Sequence, residues 1–531
     1  MFDIILKNAK IIDGSGNPWF WGDIGIKNGR IKKIGKIGAE EASELDVKGL
    51  AVCPGFIDMH SHSDLAILVN PKAESKVMQG VTTEVIGNCG FSAVPVDDST
   101  VDQLKDYAGF LSKELDWSWR SLGDYINKLK GISLNIAPLV GQGTIRIAVM
   151  GFDSKDPTRR QLERMKGLLK DALDDGAFGL STGLIYPPGS FTKTEELIEL
   201  AKVLRDYNGL YSSHIRGEGG TLIKAFKEAI RIGRESGVRV EVSHHKAVGK
   251  ENWGRVEETI ELIERAREEG IDITCDQYPY TASSTSLSAC LPPWAHEGGV
   301  SRMLERLKDA GERKRIREDI ERKKDWDNII RQSNWSRIRI ASVNSDKNKA
   351  LEGKTIEEIA QDRAKDPFDV VFDLLVEEEG DISMIVFEIN EDDLRRVMRH
   401  PSTMIGSDGS CLTPEGVLGR GKPHPRNYGT YPRVLGRYVR EENILTLEEA
   451  IRKMTSLPAQ KLRLKDRGLL KEGYFADIVV FDPQRICDRA SYENPHQFPE
   501  GIEYVLVRGE IVVERGEHTG RTLGEVLRNE I

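Results

Sequence analysis

The stretch Val238-Arg239-Val240-Glu241-Val242, followed further on by Ile271-Asp272-Ile273-Thr274, reads as one strand–helix–strand unit. Between the two runs, Val256, Ile260 and Ile263 recur at three- and four-residue spacing, the period of one helix face. Working outward, runs of the same texture stand at Phe56-Ile57-Asp58-Met59, Thr83-Glu84-Val85-Ile86, Leu134-Asn135-Ile136-Ala137 and Gly179-Leu180-Ser181. Leu210-Tyr211-Ser212-Ser213 and Thr403-Met404-Ile405 complete a set of eight. Strand–helix alternation of that length predicts an α/β protein with a parallel sheet, and eight repeats favour closure into a TIM-like (β/α)8 barrel.

The two ends of the chain read differently. Near the start, Ile4-Ile5-Leu6, Ala9-Lys10-Ile11-Ile12 and Asp23-Ile24-Gly25-Ile26 alternate, and Asn28-Gly29 turns the chain into Arg30-Ile31-Lys32-Lys33-Ile34. Such alternation broken by an Asn-Gly turn is a hairpin signal. Ala476-Asp477-Ile478-Val479-Val480-Phe481, Tyr504-Val505-Leu506-Val507 and Ile511-Val512-Val513 repeat that texture near the end. The expectation is a small β-sandwich domain assembled from residues 1–52 and 466–531, flanking a catalytic barrel over 53–465. A charged excursion at about 295–342, between the seventh and eighth strands, carries Trp326 and Trp335 and is placed to act as a lid over the barrel rim.

Composition bounds the function. The 531 residues are 39% hydrophobic and 30% charged, with a formal net charge of -9. That much apolar material excludes a disordered chain. The acidic balance argues against a general nucleic-acid binder, whose footprint is basic. No run approaches the ~18 consecutive apolar residues of a membrane span, and the first residues carry no signal-peptide pattern. Six scattered cysteines do not make a disulfide framework. A cytoplasmic, reducing-compartment protein is the expectation. Mixed-charge runs such as Glu257–Glu269 read as solvated helix faces.

The chemistry gathers at strand ends. His60-Ser61-His62 closes the first strand, and residues two apart on a strand face one side, so both imidazoles can enter one site. Neutral imidazoles suit a borderline metal such as zinc. The second strand ends Gly87-Asn88-Cys89-Gly90, where Cys89 is either a small buried filler or an accessible thiolate. His214 ends the fifth strand and His244 the sixth, although the whole chain holds only ten histidines. Asp408, in Gly406-Ser407-Asp408-Gly409, ends the eighth, where a carboxylate can serve as ligand and take a proton from water. Barrel enzymes keep their sites on this C-terminal rim.

These motifs resemble the amidohydrolase superfamily and, within it, the N-acyl-D-amino-acid deacylases (D-aminoacylases). The resemblance covers nearly the whole length. It rests on Gly55-Phe56-Ile57-Asp58-Met59-His60-Ser61-His62, Gly87-Asn88-Cys89-Gly90-Phe91-Ser92, Ser181-Thr182-Gly183-Leu184-Ile185-Tyr186-Pro187-Pro188-Gly189, Ser243-His244-His245-Lys246 and His424-Pro425-Arg426. Most members bridge two metals with a carbamylated lysine; this subgroup places a cysteine there, the role that Cys89 matches. The resemblance implies a tight zinc on Cys89, His214 and His244. It also implies a second, weaker position on His60, His62 and Asp408, with Cys89 shared. His245, next to His244, is expected to face the other way.

By the same resemblance, Tyr186, Lys246, Tyr278, Ser283 and Arg426 form a clamp for the substrate's carboxylate, and the preferred hand is D. The implied substrate is a small molecule, an N-acyl-D-amino acid, hydrolysed at its linear amide with Asp408 as base and then acid; neither nucleic acid nor membrane is an expected partner. Ser284, Ser286 and Ser288 are close substitutes for Ser283, and Tyr280 suits a packed ring better than Tyr278 does. Three other readings stand beside this one. They are a peptidase for chains ending in a D-residue, a cyclic-amide hydrolase of the dihydroorotase or hydantoinase kind, and a catalytically dead scaffold. The second lacks its bridging lysine here, and the third should have lost ligands that are all present. Two stretches depart from the family pattern: Ser410–Gly416, which is long for its loop, and the charged excursion itself.

Overall fold

The computed structural model describes residues 2–38, 42–323 and 326–530. Eight parallel strands form the central barrel: β1 (Phe56–Asp58), β2 (Val81–Ile86), β3 (Asn135–Pro138), β4 (Gly179–Gly183), β5 (Leu210–His214), β6 (Arg239–Val242), β7 (Ile273–Gln277) and β8 (Thr403–Ile405). β1 pairs β2 and β2 pairs β3. β3 runs on into Val140–Gly141, which pairs β4 through Val140 and Leu180. The ladder continues from β4 to β7 and on to β8. Closure comes just past the strand ends. The Asp408 amide donates to the His60 carbonyl at 2.8 Å, and the His62 amide donates to the Gly409 carbonyl at 2.8 Å. The residues that seal the barrel are therefore those that carry its chemistry.

Every one of the eight predicted strands is present. Helices pack on the outside by their apolar faces. In Leu222–Ser236, the residues Leu222, Ala225, Phe226, Ala229, Ile230 and Gly233 are buried at three- and four-residue spacing, and Gly237 ends the helix in a left-handed turn. In Val256–Glu268, Val256 and Ile263 are buried as the spacing predicts, with Thr259 and Ala266 completing the face.

Five strands from the start of the chain and four from its end form one continuous nine-stranded sheet. The seam is antiparallel pairing of Ala51–Pro54 with Ile478–Phe481. Leu6, Ile11, Ile24, Ile26, Val52, Ile478, Val480 and Leu506 form its core. The two runs read separately at the start are one strand, Ile4–Ile11, whose pairing shifts between Leu6 and Ala9. Asn8 sits there in the left-handed region at a φ of 58°. A local bulge breaks the sequence alternation without ending the strand.

Between β7 and β8 the chain builds a compact unit of its own, wider than the 295–342 stretch marked by charge. Ser383–Val386 pairs antiparallel with both Ser283–Ser286 and Ile338–Ser342. Helices including Val300–Lys308, Ala310–Arg322 and Pro367–Glu377 cover this small sheet. Leu287, Ile316, Ile338, Val371, Leu375 and Met384 fill a core separate from the barrel's. The charge run belongs mainly to Ala310–Arg322, where only Ile316 and Ile320 are buried. Residues 324–325, which fall in the predicted excursion, lie outside the described residues. Among the described residues no helix is long and apolar enough to cross a membrane.

Candidate metal centre and substrate cavity

The turn after β2 brings Cys89 to the middle of the barrel mouth. Gly87, at a φ of 79°, is pressed so closely to β3 that an added Cβ would lie 2.1 Å from the Leu139 carbonyl oxygen. Only glycine fits that approach. Cys89 itself has a φ of 51°, His244 of 35° and Asp408 of 50°. Non-glycine residues in the left-handed region are strained, and such strain clusters at functional sites. Three of the six strand-end residues singled out for metal binding share it.

The Cys89 Sγ lies 3.2 Å from His60 Nε2 and 3.6 Å from both His214 Nδ1 and His244 Nε2. Asp408 Oδ1 is 3.5 Å from His60 Nε2 and 2.9 Å from His62 Nε2. The ligand atoms of His60, Cys89, His244 and Asp408 all lie within 4.8 Å of one another, as do those of His214, Glu218 and His244. His62 joins through Asp408. The six residues therefore converge on one place from five strands.

Burial alone would raise the Cys89 thiol, but the charge on His60 and hydrogen bonds with His214 and His244 outweigh it and favour the thiolate. Burial likewise opposes ionisation of Asp408, and Arg426 with His62 reverses that, holding the carboxyl well below its usual range. A buried thiolate, imidazole nitrogens and a carboxylate make a donor set that suits zinc. The buried His214 Nε2 has no partner among the described residues.

Two carboxylates not singled out from the sequence hold the histidines. Asp276, in β7, meets His60 Nδ1 with Oδ2 at 3.2 Å and accepts the His244 amide on Oδ1 at 2.8 Å. Glu218 Oε1 is 2.9 Å from His244 Nδ1. With their Nδ1 atoms engaged, both rings direct Nε2 at Cys89, the usual way a carboxylate orients a metal-binding histidine. A signal for Asp276 existed: like Asp408, it is a carboxylate at a strand end. Glu218, four residues past His214 in a loop, carried none. His245 points the other way, bonding Thr259 Oγ1 through Nε2 at 2.7 Å beside the Phe226 ring.

Beneath the site, Lys76 is fully buried. Its Nζ donates to Asp58 Oδ2 at 2.8 Å, Ser407 Oγ at 2.7 Å and the Gly409 carbonyl at 3.1 Å. Asp58 also accepts the amides of His60 and Ser407. This cluster fixes the ends of β1 and β8, and with them His60 and Asp408.

Above the site opens a cavity of about 440 Å³. Tyr186, Lys246, Tyr278, Ser283 and Arg426 all line it, together with His62, Cys89, His214, His244 and Asp408. Lys246 Nζ pairs with Glu218 Oε1 at 2.6 Å, and Arg426 Nη1 with Asp408 Oδ2 at 2.7 Å. The Tyr278 ring lies under both cations, 5.6 Å from Lys246 Nζ and 4.8 Å from Arg426 Cζ, and its buried hydroxyl has no partner among the described residues. Tyr186 accepts from Thr285 at 3.0 Å, and Ser283 donates to Glu388 at 2.6 Å. Ser284, Ser286 and Ser288 line the same cavity. Tyr280 packs below Arg433 and beside His424. The long loop after Asp408 leaves Arg426 at the site, because the amides of Ser410, Cys411 and Leu412 donate to Asn427, Ser63 and Ser75.

Likeness to known proteins agrees with this geometry. The amidohydrolase family model matches residues 43–513. A D-aminoacylase of Alcaligenes xylosoxydans xylosoxydans is 36% identical over 529 residues, 99% of this chain and 97% of that protein. An N-acyl-D-aspartate deacylase of the same organism is 36% identical over 98% of this chain and 93% of its own length. Among solved structures, the N-acyl-D-glutamate deacylase of Bordetella bronchiseptica, complexed with zinc and a phosphonate mimic of the tetrahedral intermediate, superposes with a TM-score of 0.82. It is 34% identical, and the match covers 99% of each chain. A closed barrel with a cysteine among its strand-end histidines is thus joined to full-length similarity, and this chain belongs to the amidohydrolase family, among its N-acyl-D-amino-acid deacylases.

Proposed function

We propose that this protein hydrolyses the linear amide of N-acyl-D-amino acids, releasing a carboxylate and a free D-amino acid, with zinc as its metal. The observation that carries the reading is the convergence of two sets of residues on one cavity. Cys89, with His62, His214, His244 and Asp408, forms its floor, and His60 is buried against Cys89; Lys246, Tyr278 and Arg426 stand on its wall.

Cys89, His214 and His244 would hold the tighter zinc, and His60, His62 and Asp408 a weaker second one with Cys89 shared. Zinc, when bound, polarises an amide carbonyl and acidifies water. Asp408 is the proton acceptor for the attacking water and returns that proton to the leaving amine. Its strained backbone and its contacts with His62 and Arg426 fix the direction of both carboxylate oxygens. Arg426 and Lys246 bind the substrate's carboxylate, Arg426 by its planar fork and Lys246 as a point charge. The hydroxyls of Tyr278 and Tyr186 supply further donors, and Ser283 joins them when its proton turns from Glu388 to the substrate. With the carboxylate and the acyl carbonyl both fixed, only one configuration at the α-carbon leaves room for the side chain. The relatives' names give that hand as D.

The test is metal analysis of the purified protein combined with a panel of N-acetyl-D- and N-acetyl-L-amino acids. Stoichiometric zinc and turnover restricted to D-substrates are expected. Equal turnover of the two hands would overturn the reading.

A further inference from the structure

The carboxylates around the cavity outnumber its cations. Asp106, Glu218, Asp327, Asp381, Glu388 and Asp408 line it, against Lys246 and Arg426 as the only permanent cations among the described lining residues. Both cations are committed, to Glu218 and Asp408, and both are needed for the substrate's α-carboxylate on the function proposed above. A second carboxylate, on an aspartate- or glutamate-like side chain, would find no free cation and several like charges. Like charges placed together without a counter-charge are strongly unfavourable at a buried site.

The carboxylates differ in what already satisfies them. Asp327 accepts from the amides of Glu218 and Gly219 and from Gln332 Nε2. Asp381 accepts from Asn344 Nδ2 at 2.7 Å. Asp106 is exposed at the mouth. Glu388 is only 4% exposed, its Oε1 accepts from Ser283, and its buried Oε2 has no partner among the described residues. Its main chain is held rigidly, because its carbonyl accepts from the Gly249 amide and from Trp253 Nε1, both at 3.0 Å. Burial raises the Glu388 carboxyl to about 8, the Ser283 hydrogen bond lowers it, and Glu218 and Asp327 add to the rise. A cation placed against it would relieve that penalty.

We propose that Glu388 is the specificity-determining residue of this cavity, selecting N-acyl-D-amino acids whose side chain ends in a cationic hydrogen-bond donor, as in lysine or arginine, and disfavouring acidic side chains. A fixed, buried carboxylate oxygen without a donor is the complement of an ammonium or guanidinium group. The rest of the lining, with Phe91, Leu111, Phe152 and Met303, accommodates an aliphatic stem. The inference rests on the deacylase reading and adds the substrate's side chain to it.

Rates on N-acetyl-D-lysine, N-acetyl-D-norleucine and N-acetyl-D-glutamate test it, with wild type and Glu388→Gln. In the wild type kcat/KM for the lysine substrate should exceed that for norleucine by about tenfold or more, the scale of one charge-assisted hydrogen bond, with glutamate lowest. In Glu388→Gln the lysine-to-norleucine ratio should fall to about one. Should that variant fail to fold, wild type alone on N-acetyl-D-arginine against N-acetyl-D-citrulline, nearly isosteric and differing in charge, gives the same comparison. A wild-type preference for glutamate, equal rates on the arginine and citrulline substrates, or a ratio unchanged by Glu388→Gln would overturn the inference. Hydrolysis of norleucine without any cation preference would refute this inference and leave the deacylase reading intact. Failure on every D-substrate would refute the deacylase reading itself.

Discussion

Arg426 Nη1 lies 2.7 Å from Asp408 Oδ2, while His62 Nε2 lies 2.9 Å from the other oxygen of the same carboxylate. One side chain of the proposed carboxylate clamp therefore touches the proposed base directly. Binding and proton transfer share a residue, and removing Arg426 disturbs both.

Arg426→Ala is accordingly expected to raise KM and to lower kcat. Loss of a charged hydrogen-bonding partner costs about 1.5–3 kcal/mol, roughly ten- to a hundredfold. An N-acyl amine lacking a carboxylate separates the two effects, since its turnover should fall only through the altered Asp408. Steady-state kinetics on both substrates make the comparison; an unchanged rate on the carboxylate-free amide would mean that the contact with Asp408 has no catalytic consequence.

Asp408→Asn keeps the shape of the side chain and removes its ability to accept a proton. The rate should drop by ~10²–10⁴-fold, with zinc content at the tighter position retained. Near-normal turnover would assign the proton to another group.

Cys89→Ala removes the sulfur that three imidazole nitrogens face at 3.2 to 3.6 Å. The expected outcome is loss of bound zinc and of turnover in a protein whose circular dichroism spectrum is unchanged, because the residue sits in a turn outside the barrel ladder. Full zinc occupancy in the variant would return Cys89 to a packing role.

Lys76→Met tests the buried cluster under the site. The substitution leaves Asp58 without its cation in a fully buried place, and breaking a buried pair by removing one partner costs about 3–5 kcal/mol. Denaturant unfolding should reveal that loss. A change below 1 kcal/mol would show that Ser407 and the backbone amides satisfy Asp58 unaided.

The barrel, its strand count and the ring of residues at its strand ends were legible in the amino-acid pattern. Its strands are short apolar runs whose ends carry distinctive residues, so His60, His62, His214, His244 and Asp408 stand out by local pattern, whereas Cys89 was told from a buried filler only by the family resemblance. What surrounds them was decided by tertiary structure. Asp276, Glu218 and Lys76 act through partners up to hundreds of residues away, such as Lys76 with Ser407; beyond the place of Asp276 at a strand end, nothing local distinguishes a carboxylate that orients a histidine from one on a solvated face. The unit between β7 and β8 was marked only by the charge of one helix, because the strands of its small sheet are short and far apart in sequence. The pairing of Arg426 with Asp408, and the unpartnered oxygen of Glu388 in the cavity wall, exist only once the loops after β7 and β8 have packed over the barrel mouth. Strand periodicity is a local property of the chain; charge pairing at a buried site depends on which distant segments meet there.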